Sequence, residues 1–152
     1  MSAAVRTVVW QGTDAPRMEI ARVELLAGGL RASGTQVGVT YELRYELDGD
    51  RLRLEVVGGS AAEFAVEGCD FFDLGYSPLF NSLPVLAGLE RTTDFVMTFV
   101  HVPSLEVARA DQRYEPLGDD VVRYRSGSFV ADIEFDAEGF VTRYEGLAER
   151  VS

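Results

Sequence analysis

Residues 36–57 read QVGVTYELRYELDGDRLRLEVV. Val37, Val39, Tyr41, Leu43, Tyr45 and Leu47 take every second position, with Gly38, Thr40, Glu42, Arg44 and Glu46 between them. A side-chain period of two belongs to a strand with one apolar face and one wet face. The spacing therefore predicts a long strand over 37–47. Asp48-Gly49 follows, a pair suited to a hairpin turn because glycine takes positive φ without steric cost. The return segment alternates in the same way, Leu52, Leu54 and Val56 against Arg51, Arg53 and Glu55. A long-armed hairpin is the unit from which the rest of the chain is read.

The same texture recurs outward from it. In DFVMTFVHV (94–102), Phe95, Met97, Phe99 and His101 alternate with Val96, Thr98, Val100 and Val102. Both sets are largely apolar, which predicts a strand covered on both sides. FVADIEFD (129–136) alternates too, and DAEG turns it into FVTRYEG, a second hairpin over 128–144. Fainter strands are expected at 5–11, 18–26, 63–67, 105–114 and 121–126. RMEIARVELLAGG (17–29) fits an amphipathic helix or a strand; its β-branched residues and Gly28-Gly29 favour the strand. About ten strands with Gly and Asp turns, and few or no helices, indicate an all-β protein. The expected architecture is a single domain over residues 1–152, one strongly curved antiparallel sheet forming a barrel or half-barrel. Strands this long in a flat sheet would leave exposed edges, and a homodimer covering them is a further expectation.

Composition narrows the partners. The net charge is −11 and all fourteen basic residues are arginine. So acidic a chain is repelled by nucleic-acid phosphates and anionic membrane surfaces. No run approaches the ~18 apolar residues of a membrane-spanning helix, so neither nucleic-acid binding nor membrane insertion is expected. The N-terminal MSAAVRTVVWQG lacks the pattern of a secretory signal. With the single cysteine, Cys69, this points to a reducing, cytoplasmic setting.

One histidine and one cysteine cannot build a three-histidine or paired-cysteine metal site, and no nucleophile elbow, P-loop or dinucleotide fingerprint is present. No metal, cofactor or catalytic residue is expected. His101, in phase with Phe95, Met97 and Phe99, is read as a buried or pocket-lining imidazole. The alternative is a small hydrolase or isomerase acting on a hydrophobic substrate, with His101 paired with Asp73 or Cys69. Asp70 and Asp73 lie three apart and point to opposite faces in extended chain, so a turn-capping role is favoured over a shared site. Asp111-Gln112-Arg113-Tyr114 forms a polar and aromatic cluster at a strand end.

Aromatic residues make up 11% of the chain and many fall in phase on strand faces. They either fill a core, leaving a structural or protein-interaction domain, or line an apolar cavity in a curved sheet. In the second case the candidate ligand contacts are Tyr76, Ser77, Asn81, His101, Gln112 and Tyr114, with Tyr41 and Phe99 on the strand faces. Ten buried methylenes at ~0.8 kcal/mol each give ~8 kcal/mol, a micromolar-scale affinity before ordering costs. Burying a lipid tail would thus suffice for a useful binder, and the net charge disfavours anionic headgroups.

GCDFFDLGYSPLFNSLP (68–84) resembles the signature of the bacterial "putative glycolipid-binding" family, through Gly68, Cys69, Asp73, Leu74, Ser77, Pro78, Asn81, Leu83 and Pro84. VPSLEVARADQRYEPL (102–117) is similar to a second family segment at Pro103, Leu105, Val107, Gln112 and Tyr114. FVADIEFDAEGFVTRYEGLAERV (129–151) is similar to its closing hairpin. The chain has Leu86-Ala87 where the family carries a basic pair. The resemblance, strongest over 68–151, implies a half-barrel similar to lipoprotein carrier proteins, and a non-enzymatic binder of an amphipathic lipid or glycolipid. On this reading residues 68–84 form a stiff, irregular excursion that folds inward as a wall or lid.

Overall fold

The computed structural model describes residues 4–66 and 68–152. Its thirteen strands belong to one sheet. In chain order they are β1 (Ala4–Gly12), β2 (Met18–Leu26), β3 (Gly29–Val37), β4 (Glu42–Asp48), β5 (Arg51–Val56), β6 (Ala61–Ala65) and β7 (Phe71–Leu74). After the helix α1 (Pro78–Leu86) come β8 (Thr93–Val100), β9 (Val107–Gly118), β10 (Val121–Ser126), β11 (Phe129–Phe135), β12 (Val141–Tyr144) and β13 (Ala148–Arg150). The order across the sheet is β6-β5-β4-β3-β2-β1-β13-β12-β11-β10-β9-β8-β7.

That order forces curvature. β6 and β7 are the two edges, yet only residues 66–70 separate them in sequence. Six residue steps reach at most about 21 Å, whereas thirteen strands spaced ~4.8 Å apart would spread over about 58 Å if flat. The sheet must curl until its edges approach each other. The result is an open, curved, all-β half-barrel, as the sequence predicts.

The register assigns one face to the inside. Trp10 stands opposite Glu19, Glu19 opposite Gln36, and Gln36 opposite Leu43. The next row along the strands runs Val8, Ala21, Gly34, Tyr45 and Leu54. Trp10, Tyr45, Leu43, Leu54, Met97, Tyr114 and Phe140 are almost wholly buried. The Trp10 indole, whose N–H needs a partner once buried, donates to the Val141 carbonyl at 2.8 Å.

Three expectations change. The predicted strand 37–47 is two strands, β3 and β4, broken at residues 38–41, and Val39 is 76% exposed. Its alternation holds only from Leu43 onward. The sheet is antiparallel except at β7, which pairs with β8 in parallel. Parallel neighbours need a crossover connection, and residues 75–92 supply one through α1. The excursion expected at 68–84 is therefore an edge strand followed by a helix. The strand expected at 63–67 is found at Ala61–Ala65, and its residue 67 lies outside the described residues.

α1 starts where its sequence allows. Ser77 is the extended residue before it (φ −102°, ψ 110°) and Pro78 occupies the first turn, where a missing N–H costs nothing. Leu79, Phe80, Leu83 and Leu86 recur at helical spacing. Pro84 sits near the C-terminal end, and Gly88 follows with φ 101°. Residues 78–84 are all buried, so the helix fills the middle of the concave face. Phe80 meets the Tyr45 ring edge-on at 5.3 Å.

Candidate functional site

The helix is held by polar ties to three parts of the sheet. At its start, Ser77 Oγ donates to Glu19 Oε2 on β2 at 2.8 Å. Midway, Asn81 Nδ2 donates to the Tyr114 hydroxyl on β9 at 3.2 Å. Ser82 Oγ donates to the Pro78 carbonyl at 3.0 Å and accepts the Val141 N–H of β12 at 3.2 Å. The polar residues of the 77–82 stretch thus act as fasteners for a buried helix.

Glu19 is the hub at the first tie. It is 2% exposed and also accepts from Gln36 Nε2 at 3.2 Å and Tyr45 OH at 3.1 Å. Gln36 also donates to the Gly75 carbonyl at 3.1 Å and accepts from the Tyr41 hydroxyl. Desolvation pushes the Glu19 carboxyl up to about 7, against the opposing pull of its donors Ser77, Gln36 and Tyr45 and the Leu79 backbone.

A second buried carboxyl, Asp73 on β7, accepts from Gln112 Nε2 at 2.7 Å. Burial raises it to about 6. Gln112 Oε1 is buried without a hydrogen bond among the described residues. The Tyr114 ring meets Phe95 and Tyr124 edge-on, at 5.6 and 5.4 Å. Burial raises the Tyr114 phenol well above its usual value, and the nearby Asp73 charge adds to this.

Neither buried network lines the largest cavity. That cavity is a cleft of about 590 Å³ at the end of the half-barrel where hairpin tips meet the end of α1. Leu25, Leu26 and Leu30 of the β2–β3 hairpin form one wall. Leu47 of β4, Phe71 and Phe72 of β7, and Leu83 and Leu86 of α1 form the rest of its apolar lining. Three carboxylates lie around it: Asp50 on the β4–β5 turn, Asp70 before β7, and Glu138 on the β11–β12 turn.

The eight residues expected to contact a ligand do not converge on this cleft. Ser77 and Tyr41 belong to the Glu19 network, and Asn81 and Tyr114 bond each other, with Gln112 on Asp73. Tyr76 is half-exposed, with the Arg17 guanidinium 4.6 Å from its ring centroid. His101 is exposed rather than buried or pocket-lining, because β8 ends at Val100 and leaves it past the covered face. Its ring meets Phe99, half-buried at the end of β8, edge-on at 4.8 Å. Among the described residues no side-chain hydrogen bond joins His101 to Asp73 or Cys69, and no group of His, Cys, Asp and Glu side chains could hold a metal ion. The cleft residues escaped sequence reading because they come from five separate segments. The one available signal was Leu25-Leu26 at a Gly28-Gly29 turn, apolar where a hairpin tip is normally polar.

A family model described as "Putative glycolipid-binding" matches residues 53–150. The chain belongs to that family. The match takes in the three segments that carry the resemblance and extends it upstream into β5. Among solved structures, the chain is similar to a DUF1089 family protein from Pseudomonas aeruginosa, with a TM-score of 0.60 and 23% identity. That likeness covers 99% of this chain and 93% of the other, and it supports the family's half-barrel as the fold. No curated protein matches the chain. No helix among the described residues is long and apolar enough to cross a membrane.

Proposed function

We propose that the protein is a non-enzymatic binder of an amphipathic lipid or glycolipid, and that the tail lies in the cleft at the end of the half-barrel. The observation that carries this reading is the cleft itself. Its volume, about 590 Å³, falls within the range of small-molecule sites, which are concave, mostly apolar and marked by a few polar groups. Its leucine and phenylalanine walls suit an alkyl chain and its carboxylates suit a polar head. The middle of the concave face is filled by α1, so the ligand enters beside the helix rather than in its place. Membership of the family supports the same ligand class.

Native mass spectrometry of freshly purified protein, followed by organic extraction, tests the reading. A bound amphiphile is expected, with a thermal shift on adding it back. Leu26→Trp, a change at the partly exposed wall of the cleft, should abolish that shift while leaving the melting temperature of the free protein in place. A protein that stays ligand-free across a lipid panel, with no thermal shift, overturns it.

A further inference from the structure

The mouth of the cleft carries a charge pattern that its apolar walls do not explain. Asp50, Asp70 and Glu138 reach it from three different turns. Asp70 Oδ2 accepts the Val96 N–H at 2.7 Å, and Asp50 makes no side-chain hydrogen bond among the described residues. Glu138 Oε2 pairs with Arg6 at 2.7 Å. No arginine lines the cleft, so one guanidinium stands against three carboxylates.

We propose that this mouth is a headgroup subsite that takes an uncharged, hydroxyl-bearing headgroup and excludes anionic ones, with Asp50, Asp70 and Glu138 as its acceptors. The inference rests on the amphiphile reading of the cleft. An ionised carboxylate only accepts hydrogen bonds, and accepts them strongly. A headgroup that offers donors at several points answers acceptors set on three separate turns. A compact ammonium satisfies one acceptor point and leaves the others unpaired, whereas a carboxylate or phosphate offers no donor and meets like charge. Such repulsion is partly screened by salt because the mouth is open.

The test compares three amphiphiles with the same tail below their micelle concentrations: dodecyl glucoside, dodecanoate and dodecylammonium. Isothermal titration calorimetry at low salt should rank the glucoside first, with dodecanoate weaker by about tenfold or more, equivalent to ~1.4 kcal/mol. The double substitution Asp50→Asn with Glu138→Gln keeps acceptors in place but removes two charges, and should narrow that gap. Asp50→Asn alone, at an exposed turn, repeats the measurement if the double variant melts early. Equal binding of glucoside and dodecanoate, a gap unchanged in the variants, or dodecylammonium binding tightest would overturn the subsite and leave the cleft reading standing. Failure of all three to bind would overturn both.

Discussion

Gly34 lies beneath the ring of Tyr45, its cross-strand partner on β4. A Cβ built on Gly34 would overlap Tyr45 Cζ and its hydroxyl, and would stand 2.8 Å from the Ile20 carbonyl oxygen. The missing side chain lets the phenol lie across β3 and reach Glu19 on β2 at 3.1 Å.

Gly34→Ala should therefore be among the more damaging single changes in the sheet. Tyr45 cannot simply swing away, because the ring is packed on Phe80 and the Ile20 carbonyl is fixed backbone. Overpacking of this kind costs about 1–3 kcal/mol, and loss of a hydrogen bond to a buried carboxylate adds to it. Denaturant unfolding measures the loss. Gly34→Ala as stable as the parent protein would refute the placement of Tyr45.

The buried carboxyls predict an uncommon pH profile. Glu19 titrates near 4.5 when unfolded and at about 7 when folded, and Asp73 near 3.8 and at about 6. In both the folded state holds the proton more tightly. Their stabilising contribution is full below the unfolded values and is lost as pH rises through the folded ones. For Glu19 the change is on the order of 3 kcal/mol. The ion-paired surface carboxyls, Glu63, Asp94, Asp132 and Asp136, are held below their usual range. They are ionised in both states above about pH 5 and add no slope there. Unfolding free energy should accordingly fall between pH 5 and pH 8, and Glu19→Gln should flatten most of that fall. A profile that rises over this interval contradicts the assignment.

Asn81→Ala separates fastening from ligand contact. It leaves the Tyr114 hydroxyl buried without its donor, a cost of about 1–3 kcal/mol. Asn81 does not line the cleft. The expected result is a lower melting temperature, with the affinity of the folded protein for a cleft ligand unchanged. A large loss of affinity at constant stability would place Asn81 at the binding site instead.

Strands were legible wherever large apolar residues face inward in regular alternation, as Leu43, Tyr45 and Leu47 do. β3 escaped because its inward residues are Ala32, Gly34 and Gln36. They are small or polar so that larger neighbours can lie over them or bond to them. Val37 and Val39 looked like a continuation of β4, yet both are exposed, and the break at 38–41 left no mark in the period. α1 was hidden by its prolines, which read as breakers although Pro78 occupies the one turn of a helix that tolerates proline freely. The motif over 77–84 was visible as a motif, but its polar residues serve the packing of the helix. The cleft is built by tertiary proximity of turns, which leaves no periodic trace.

The strand order also has a consequence for how the chain finds its shape. β1 to β6 form one arc in which every strand pairs with its sequence neighbour, and β8 to β13 form another. The arcs meet only at the β1–β13 ladder, three residue pairs from Trp10↔Arg150 to Gly12↔Ala148. Each arc can zip up through short loops, whereas the seam closes nearly the whole chain and gathers its entropic cost at one step. The seam is thus the natural last event of folding. Weakening it should hasten unfolding while barely slowing folding, the behaviour of contacts absent from the transition state.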